Sequence, residues 1–127
     1  MVKVNVNKQS NYPINVPTLK KKLQNFFLNR GIVSDAEVSI ALVGEAKMLS
    51  IGRKYLKDKK LHNVFSFTPD EVKDFKYPPD SILHLGEIIV CYPEAFREAK
   101  DENIRLEDKV YELVEHGGLH LLGIHHE

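Results

Sequence analysis

The chain has 127 residues, no net charge and a single cysteine, Cys91. This length fits one domain with its own core, and one cysteine excludes an internal disulfide, which suits a reducing cytoplasm. No segment approaches the roughly 20 apolar residues of a membrane helix, and the amino-terminal residues lack the apolar stretch of a signal peptide, so we expect a single cytoplasmic domain over residues 1–127 with no membrane partner.

Hydrophobic periodicity predicts four strands and four helices. The strands fall at 2–6, 37–43, 63–67 and 82–91, and the helices at 19–29, 45–57, 93–102 and 106–122. Thr18 is the predicted cap of the first helix, and Gly31 ends it. The run 82–91 is apolar almost throughout, as in a central strand covered on both faces, whereas 68–80 is predicted as a loop. The order of elements predicts an α+β fold with a single mixed sheet of about four strands and helices packed on it.

The last predicted helix carries a His-x-x-x-His-x-x-Gly-x-x-His pattern at His116, His120, Gly123 and His126. Histidines four residues apart share a helix face, about 6 Å apart at Cβ, so both imidazoles can bind one ion at roughly 2.0–2.1 Å. Gly123 can take the left-handed conformation that ends a helix, and the chain can then turn back to the same ion. Spacing alone allows either His125 or His126 as the third ligand. Three imidazoles with an open fourth position predict a catalytic zinc in a cleft at the C-terminal helix, although other first-row divalent ions also suit such ligands.

The histidine spacing also matches the signature of metzincin proteases, which place a glutamate directly after the first histidine as general base. Gly117 occupies that position, so the sequence argues against a peptidase. Gly117 and Gly118 each cost about 1 kcal/mol relative to alanine inside a helix. Two explanations are equally consistent with them: a ligand approaches this backbone closely, or the helix packs tightly against a neighbouring strand.

Beyond this pattern the chain resembles the YbeY-type endoribonucleases over nearly its full length. The segment HGGLHLLGIHH at 116–126 is similar to the family pattern H-G-x-L-H-L-x-G-Y-D-H. Two shorter segments agree in order and spacing: LGEIIV at 85–90 is similar to L-G-D-I-x-I, and HNVFSF at 62–67 stands where the family has T-D-V-L-S-F. The resemblance implies a mixed sheet with a metal cleft.

The resemblance implies one Zn²⁺ per chain, held by His116, His120 and His126, and it favours His126 over His125, which stands at a family aspartate. It also implies a zinc-dependent endoribonuclease that cuts single-stranded RNA, matures ribosomal RNA at the 3′ end of the 16S rRNA, acts with the small ribosomal subunit and contributes to ribosome quality control. No DNA partner is expected.

Two departures from the family pattern keep an alternative open. Asn63 stands where the family has an aspartate, and Leu56 stands where it has an arginine. Each change removes a charged side chain from the presumed cleft, whereas the three histidines are retained. The alternative function is a non-catalytic ribosome-assembly factor, stabilised by the metal.

Charge is unevenly distributed along the chain. Residues 1–60 contain twelve Lys or Arg and four Asp or Glu, whereas residues 61–127 contain six and fourteen. From charge alone, solvated helix surfaces explain this asymmetry better than a nucleic-acid face does. Taken with the resemblance, one basic cluster is predicted to contact RNA phosphates: Arg53, Lys54, Lys57, Lys59 and Lys60. Arg53 and Lys57 are also candidates for the cation that stabilises charge developing on the phosphate.

Other side chains that could ligate a metal or react are predicted to have mainly structural roles. Glu87, on an apolar strand, could orient a ligand histidine, pair with a buried cation or cap a helix. Glu115 and Glu127 are predicted to be solvated carboxylates, and Cys91 is predicted to be a buried thiol at a strand end.

Overall fold

Strands and helices follow one another in the order that the sequence predicts. The computed structural model describes residues 1–72, 75–76 and 79–124. The elements are β1 (Val2–Lys8), α1 (Val16–Asn29), β2 (Ala36–Val43), α2 (Glu45–Tyr55), β3 (Val64–Phe67), β4 (Leu83–Cys91), α3 (Tyr92–Glu102) and α4 (Leu106–Leu121). A 3₁₀ turn, Pro69–Glu71, lies within the segment predicted as a loop between β3 and β4. No helix in the described ranges combines the length and the hydropathy of a membrane span.

The strands form one mixed sheet in the order β1-β2-β4-β3. β1, β2 and β4 are parallel, and β3 is antiparallel to β4 at one edge. β4 is buried on both faces, with Ile88 and Val90 in one core and Ile89 and Cys91 in the other. The structure thus confirms the predicted α+β fold, the mixed sheet and the central position of the apolar strand.

Different helices cover the two faces of the sheet, and this determines which side chains can share a site. Residues of α1, α3 and α4 pack with Ile88 and Val90 into the larger core. Met48 and Ile51 of α2 pack against the other face, beside Ile89. Because successive side chains of a strand point to opposite faces, α4 and α2 lie on opposite sides of the sheet.

A β-bulge in β4 lies against the end of α4. The pairing of β2 with β4 shifts between Glu37 and Val38, and Gly86 has a φ of 132°. A Cβ at position 86 would overlap the carbonyl oxygen of Phe67 and would lie 2.8 Å from Leu121 Cδ2 in α4. Both the backbone conformation and the available space therefore require glycine here.

Two helix ends differ from the predicted ones. The cap of α1 is Asn15, whose side chain accepts a hydrogen bond from the Thr18 backbone N–H at 3.1 Å. The predicted cap at Thr18 is wrong, because Pro17 already has a helical φ and needs no N–H in the first turn. α2 ends at Tyr55, two residues earlier than predicted. Lys57 has a φ of 55°, which is incompatible with a continuing α-helix.

Candidate metal centre

α4 presents His116 and His120 one helical turn apart, beside its buried face. Leu113, Gly117 and Leu121 of the same helix are buried, whereas His116 is exposed and the His120 side chain is 32% exposed. The two imidazoles lie at the boundary between core and solvent, where a metal ligand can be both ordered by packing and accessible to a substrate.

The helix ends immediately after the histidine pair. Gly123 has a φ of 79°, its N–H donates to the His120 carbonyl at 2.9 Å, and the Ile124 N–H donates to the Leu119 carbonyl at 2.9 Å. These two bonds form a Schellman motif, which closes a helix and redirects the chain. The predicted role of Gly123 as the helix stop is confirmed. Both predicted third ligands, His125 and His126, lie outside the described residues.

Packing explains the two glycines between the histidines. A Cβ at Gly117 would lie 2.8 Å from Ile88 Cγ2 in β4, and a Cβ at Gly118 would lie 2.8 Å from Phe26 Cε2 in α1. Of the two explanations for these glycines, close packing is therefore correct, and it involves a helix as well as a strand. Position 117 has no space for the glutamate that a metzincin protease carries there.

A carboxylate that the sequence analysis did not single out contacts His120. Glu71 Oε1 lies 3.0 Å from His120 Nε2, and it accepts hydrogen bonds from the Thr68 backbone N–H at 2.9 Å and the Thr68 hydroxyl at 3.0 Å. Burial raises the pKa of Glu71, but the hydrogen bonds from Thr68 and His120 lower it more, so the net pKa lies below its ordinary value. The sequence signal for this turn is the Thr-Pro-Asp-Glu tetrapeptide, a capping box with proline in the first turn.

His116 borders two grooves. One lies between α1 and α4 and is lined by residues that include Lys22, Tyr111 and Leu119. The Lys22 ammonium is 4.8 Å from the centre of the Tyr111 ring, a distance that allows a cation–π interaction. Lys22 belongs to the basic run at 20–22, but it was not among the predicted RNA contacts.

The other groove lies between the start of β3 and α4, and it contains the position of the missing family aspartate. The Asn63 amide donates to both carboxylate oxygens of Glu98 at 3.1 Å. Glu98 in turn pairs with the buried Lys109 ammonium at 3.3 Å, which is also 2.7 Å from Glu102. A carboxylate is therefore present beside position 63, but it comes from α3 and is already paired with a lysine.

The basic cluster predicted to contact RNA lies away from the histidine pair. Its members are exposed and occupy the last turn of α2 and the residues that follow. α2 packs on the sheet face opposite α4, and no hydrogen bond or ion pair among the described residues joins the cluster to His116 or His120. The structure places Glu71 in contact with His120 and Lys22 in the groove that His116 borders, and it separates the histidine pair from Arg53 and Lys57 by the sheet.

Glu87 and Cys91 both belong to the sheet face opposite α4. Glu87 pairs in register with Ser39 of β2 and lines a cavity on that face, so it does not orient His116 or His120. Burial raises the pKa of Glu87, and the charge of Lys47 lowers it by less. Burial also raises the pKa of the Cys91 thiol, which fits the predicted inert thiol at the end of β4.

The described donors fit part of a zinc site. Among the described residues no three His, Cys, Asp or Glu side chains are grouped closely enough to hold a metal. The two imidazoles one turn apart supply nitrogen ligands of the type that zinc prefers, and Gly123 turns the chain directly before the remaining histidines. The third imidazole that the sequence predicts, from His125 or His126, lies outside the described residues.

Sequence comparisons identify relatives along almost the whole chain. The profile of the family described as "Endoribonuclease YbeY" matches residues 4–127. A protein of that name from Syntrophotalea carbinolica is 38% identical over 121 residues, which are 95% of this chain and 78% of that protein. Another, from Moorella thermoacetica, is 33% identical over 129 residues, with coverages of 95% and 81%.

A solved structure has the same fold. The solution structure of TM1509 from Thermotoga maritima aligns with a TM-score of 0.64, and it covers 98% of this chain and 75% of that one. The sequence identity is 24%, so this similarity supports the fold alone.

Proposed function

The chain belongs to the YbeY endoribonuclease family, and we propose on that premise that it is a zinc-dependent endoribonuclease that cuts single-stranded precursor ribosomal RNA. The observation that carries the proposal is the His116–His120 pair on a helix that ends at left-handed Gly123. The proposed substrate is the 3′ end of the 16S rRNA, the proposed partner is the small ribosomal subunit, and the proposed place is the cytoplasm. A part in ribosome quality control belongs to the same proposal.

The proposed zinc ligands are His116, His120 and His126, with one ion per chain. Three imidazoles are typical of a catalytic zinc, and other first-row divalent ions bind the same donors. When bound, zinc supplies a water of lowered pKa and a positive centre for a phosphate oxygen. The chain itself holds the imidazoles at the end of a packed helix, and the exposure of His116 leaves that side open to a polymer.

Cations are proposed to stabilise the negative charge that develops on the phosphate. Arg53 and Lys57 are candidates from the sequence, but Arg53 lies in the last turn of α2 and Lys57 follows it, and α2 packs on the sheet face opposite α4. Lys22 lines the same groove as His116, and it is therefore the best placed of the three.

The basic cluster is proposed to bind RNA farther from the metal. Its exposed side chains, Arg53, Lys54, Lys57, Lys59 and Lys60, can contact phosphates without reading bases, so binding through them should weaken as salt rises. A polymer that reaches both the cluster and the histidines must pass an edge of the sheet.

One observation favours the alternative of a non-catalytic assembly factor. Leu56 stands where the family pattern has an arginine, and it is 50% exposed at the end of α2. An exposed leucine supplies no positive charge, so this chain could bind RNA and the metal without cleaving.

RNA cleavage separates the two functions. Purified protein with zinc is incubated with small-subunit precursor RNA, beside His120→Ala and the control His84→Ala, which removes a histidine of β4. Specific cleavage by the wild type and His84→Ala, lost in His120→Ala, is the expected result. If all three proteins give the same background level of RNA cleavage and the wild type still binds the small subunit, the assembly-factor function would be favoured over the nuclease.

Metal binding has its own measurement. Elemental analysis is expected to give about one metal ion per chain, and zinc at 100 times its Kd should stabilise the fold by about 2.7 kcal/mol. His116→Ala should lose both the ion and the stabilisation. A wild-type protein that binds no first-row metal ion would refute the metal site.

A further inference from the structure

A histidine that the family pattern does not have follows the basic cluster. His62 stands where the family has a threonine, in the segment between α2 and β3. Its Nε2 atom lies 2.9 Å and 3.2 Å from the two carboxylate oxygens of Asp58. Asp58 is the only acidic residue between positions 53 and 60, where every other charged residue belongs to the basic cluster. The histidine is therefore paired with a carboxylate that lies among the cations.

Packing and hydrogen bonds hold this imidazole in place. Its ring centre is 4.7 Å from that of Phe65 in β3, and its Cδ2 lies 3.7 Å from the position that a Cβ on Gly52 of α2 would take. Asp58 is fixed in turn by the Lys60 N–H, which donates to Oδ1 at 3.3 Å. The His62 and Asp58 side chains are 29% and 31% exposed. The ring is thus ordered against a helix and a strand, and a ligand can still reach it.

The carboxylate determines which nitrogen of His62 carries the hydrogen. The hydrogen bond from His62 lowers the pKa of Asp58 below its ordinary value, and an ionised carboxylate can only accept hydrogen bonds. Nε2 therefore carries the hydrogen, and a neutral imidazole in this tautomer has its lone pair on Nδ1. Among the described residues Nδ1 has no hydrogen-bond partner, and no side-chain nitrogen or oxygen of those residues is both buried and unpaired. The lone pair is therefore open to solvent.

This open acceptor differs in kind from the cations around it. Lysine and arginine side chains are donors without an acceptor, so they bind the phosphates of RNA and DNA alike. Within a ribose–phosphate backbone the only hydrogen-bond donor is the 2′-OH, and a deoxyribose backbone has no donor. A fixed acceptor beside cations that contact phosphates therefore matches the ribose hydroxyl.

We propose that His62 is a specificity-determining residue of the RNA-binding surface, whose Nδ1 accepts a hydrogen bond from a ribose 2′-OH while the basic cluster contacts neighbouring phosphates. Asp58 is its positioning residue. The inference rests on the proposed function, because it takes the basic cluster to bind RNA. It adds to that function the contact that distinguishes RNA from DNA.

Binding of single-stranded oligonucleotides to the full chain tests this role. Fluorescence anisotropy at pH 8 compares three probes of one sequence: RNA, DNA with deoxyuridine for uridine, and 2′-fluoro RNA, which keeps the ribose shape but lacks the hydroxyl donor. The wild type is expected to bind RNA about two- to tenfold more tightly than either other probe, the range that one hydrogen bond supports. A denaturing gel after each titration checks that the RNA is intact.

Substitutions then assign the preference to the histidine. His62→Ala should lose the preference by weakening RNA binding alone, and His62→Gln, whose amide oxygen can accept a hydrogen bond, should keep part of it. Asp58→Asn no longer forces the hydrogen onto Nε2, so it should lower the ratio of RNA affinity to DNA affinity. His84→Ala is the matched control, because His84 of β4 pairs with Asp80 at the same spacing and at 3.1 Å, and it should keep the wild-type preference.

The inference can fail in distinguishable ways. Equal binding of RNA and 2′-fluoro RNA by the wild type would show that no hydroxyl is recognised, a result that needs no variant and leaves RNA binding by the cluster intact. Equal losses of RNA and DNA affinity in His62→Ala would show that the ring contacts a phosphate as a cation. An unchanged preference in His62→Ala would assign the hydroxyl contact to another residue. A wild type that binds none of the probes would refute the RNA-binding cluster, and this inference with it.

Discussion

Gly117 of α4 packs directly on the side chain of Ile88 in β4. A Cβ at position 117 would lie 2.8 Å from Ile88 Cγ2 and 3.2 Å from Ile88 Cγ1. Isoleucine is branched at Cβ and has restricted rotamers, so it cannot turn away easily. This contact sets how closely the helix approaches the sheet, one residue after His116.

Gly117→Ala is expected to destabilise the fold. Alanine gains about 1 kcal/mol of helix propensity, but overpacking costs about 1–3 kcal/mol, so a net loss of up to about 2 kcal/mol is expected. Urea denaturation measures it. In an Ile88→Ala background the same substitution should become neutral or stabilising, because the clashing atoms are gone. A loss of the same size in both backgrounds would contradict the packing explanation.

Gly86→Ala should be more damaging than Gly117→Ala. The new Cβ would overlap a backbone atom of β3, and the φ of 132° is unfavourable for alanine. We expect a loss of more than about 3 kcal/mol or failure to fold, seen by far-ultraviolet circular dichroism. Gly31→Ala is the control, because its φ is 90° but a Cβ there meets no described atom within 4 Å. Equal stability of Gly86→Ala and Gly31→Ala would contradict the steric argument.

Lys109→Met tests the buried lysine beside the His116 groove. Lys109 is 5% exposed. Burial lowers its pKa, but the carboxylates of Glu102 and Glu98 raise it more, so the net pKa is raised. Removal of the charge leaves these carboxylates without their lysine, and a loss of about 1–3 kcal/mol is expected by urea denaturation, since the carboxylates are partly exposed.

Lys100→Met is the matched control for Lys109→Met, because it removes the same charge from an exposed position of α3. It should change stability by less than about 0.5 kcal/mol. Similar losses in the two variants would show that net charge, and not the buried network, is responsible.

Glu87→Gln should change how stability depends on pH. The pKa of Glu87 is raised in the folded protein, so the folded state binds this proton more tightly than the unfolded state does. Its contribution to stability is complete below the ordinary value of 4.5 and is lost as pH rises through the folded pKa. Glutamine cannot ionise, so the Tm of the variant relative to the wild type should rise as pH increases from 4 to 7.

A constant Tm difference between Glu87→Gln and the wild type at all pH values would contradict a raised pKa of Glu87 in the folded protein. Glu115→Gln, at an exposed position of α4, controls for the loss of one negative charge. It should not reproduce the pH-dependent rise in Tm.

Features that depend on neighbouring residues were predictable from the sequence. Hydrophobic period gave the order of strands and helices, since a buried helix face and a buried strand face repeat at different intervals. The His116–His120 spacing placed both rings on one face of α4, and Gly123 ended that helix because glycine takes a positive φ at low cost. The local reasoning failed at Thr18, because Asn15 caps α1 and Thr18 lies inside the first turn, where its N–H donates to the Asn15 side chain.

Features that depend on distant residues were decided only by the tertiary structure. The sequence placed Arg53 and Lys57 near the histidines, but the crossing of the chain from one sheet face to the other separates α2 from α4. Glu71 was hidden in a segment interpreted as a loop, and it reaches His120 only because the turn Pro69–Glu71 lies beside the last turn of α4. The hydrophobic periodicity of a segment determines which face of its own helix or strand each side chain occupies. The order of the strands and the paths of the loops determine which residues of other helices and strands that side chain contacts.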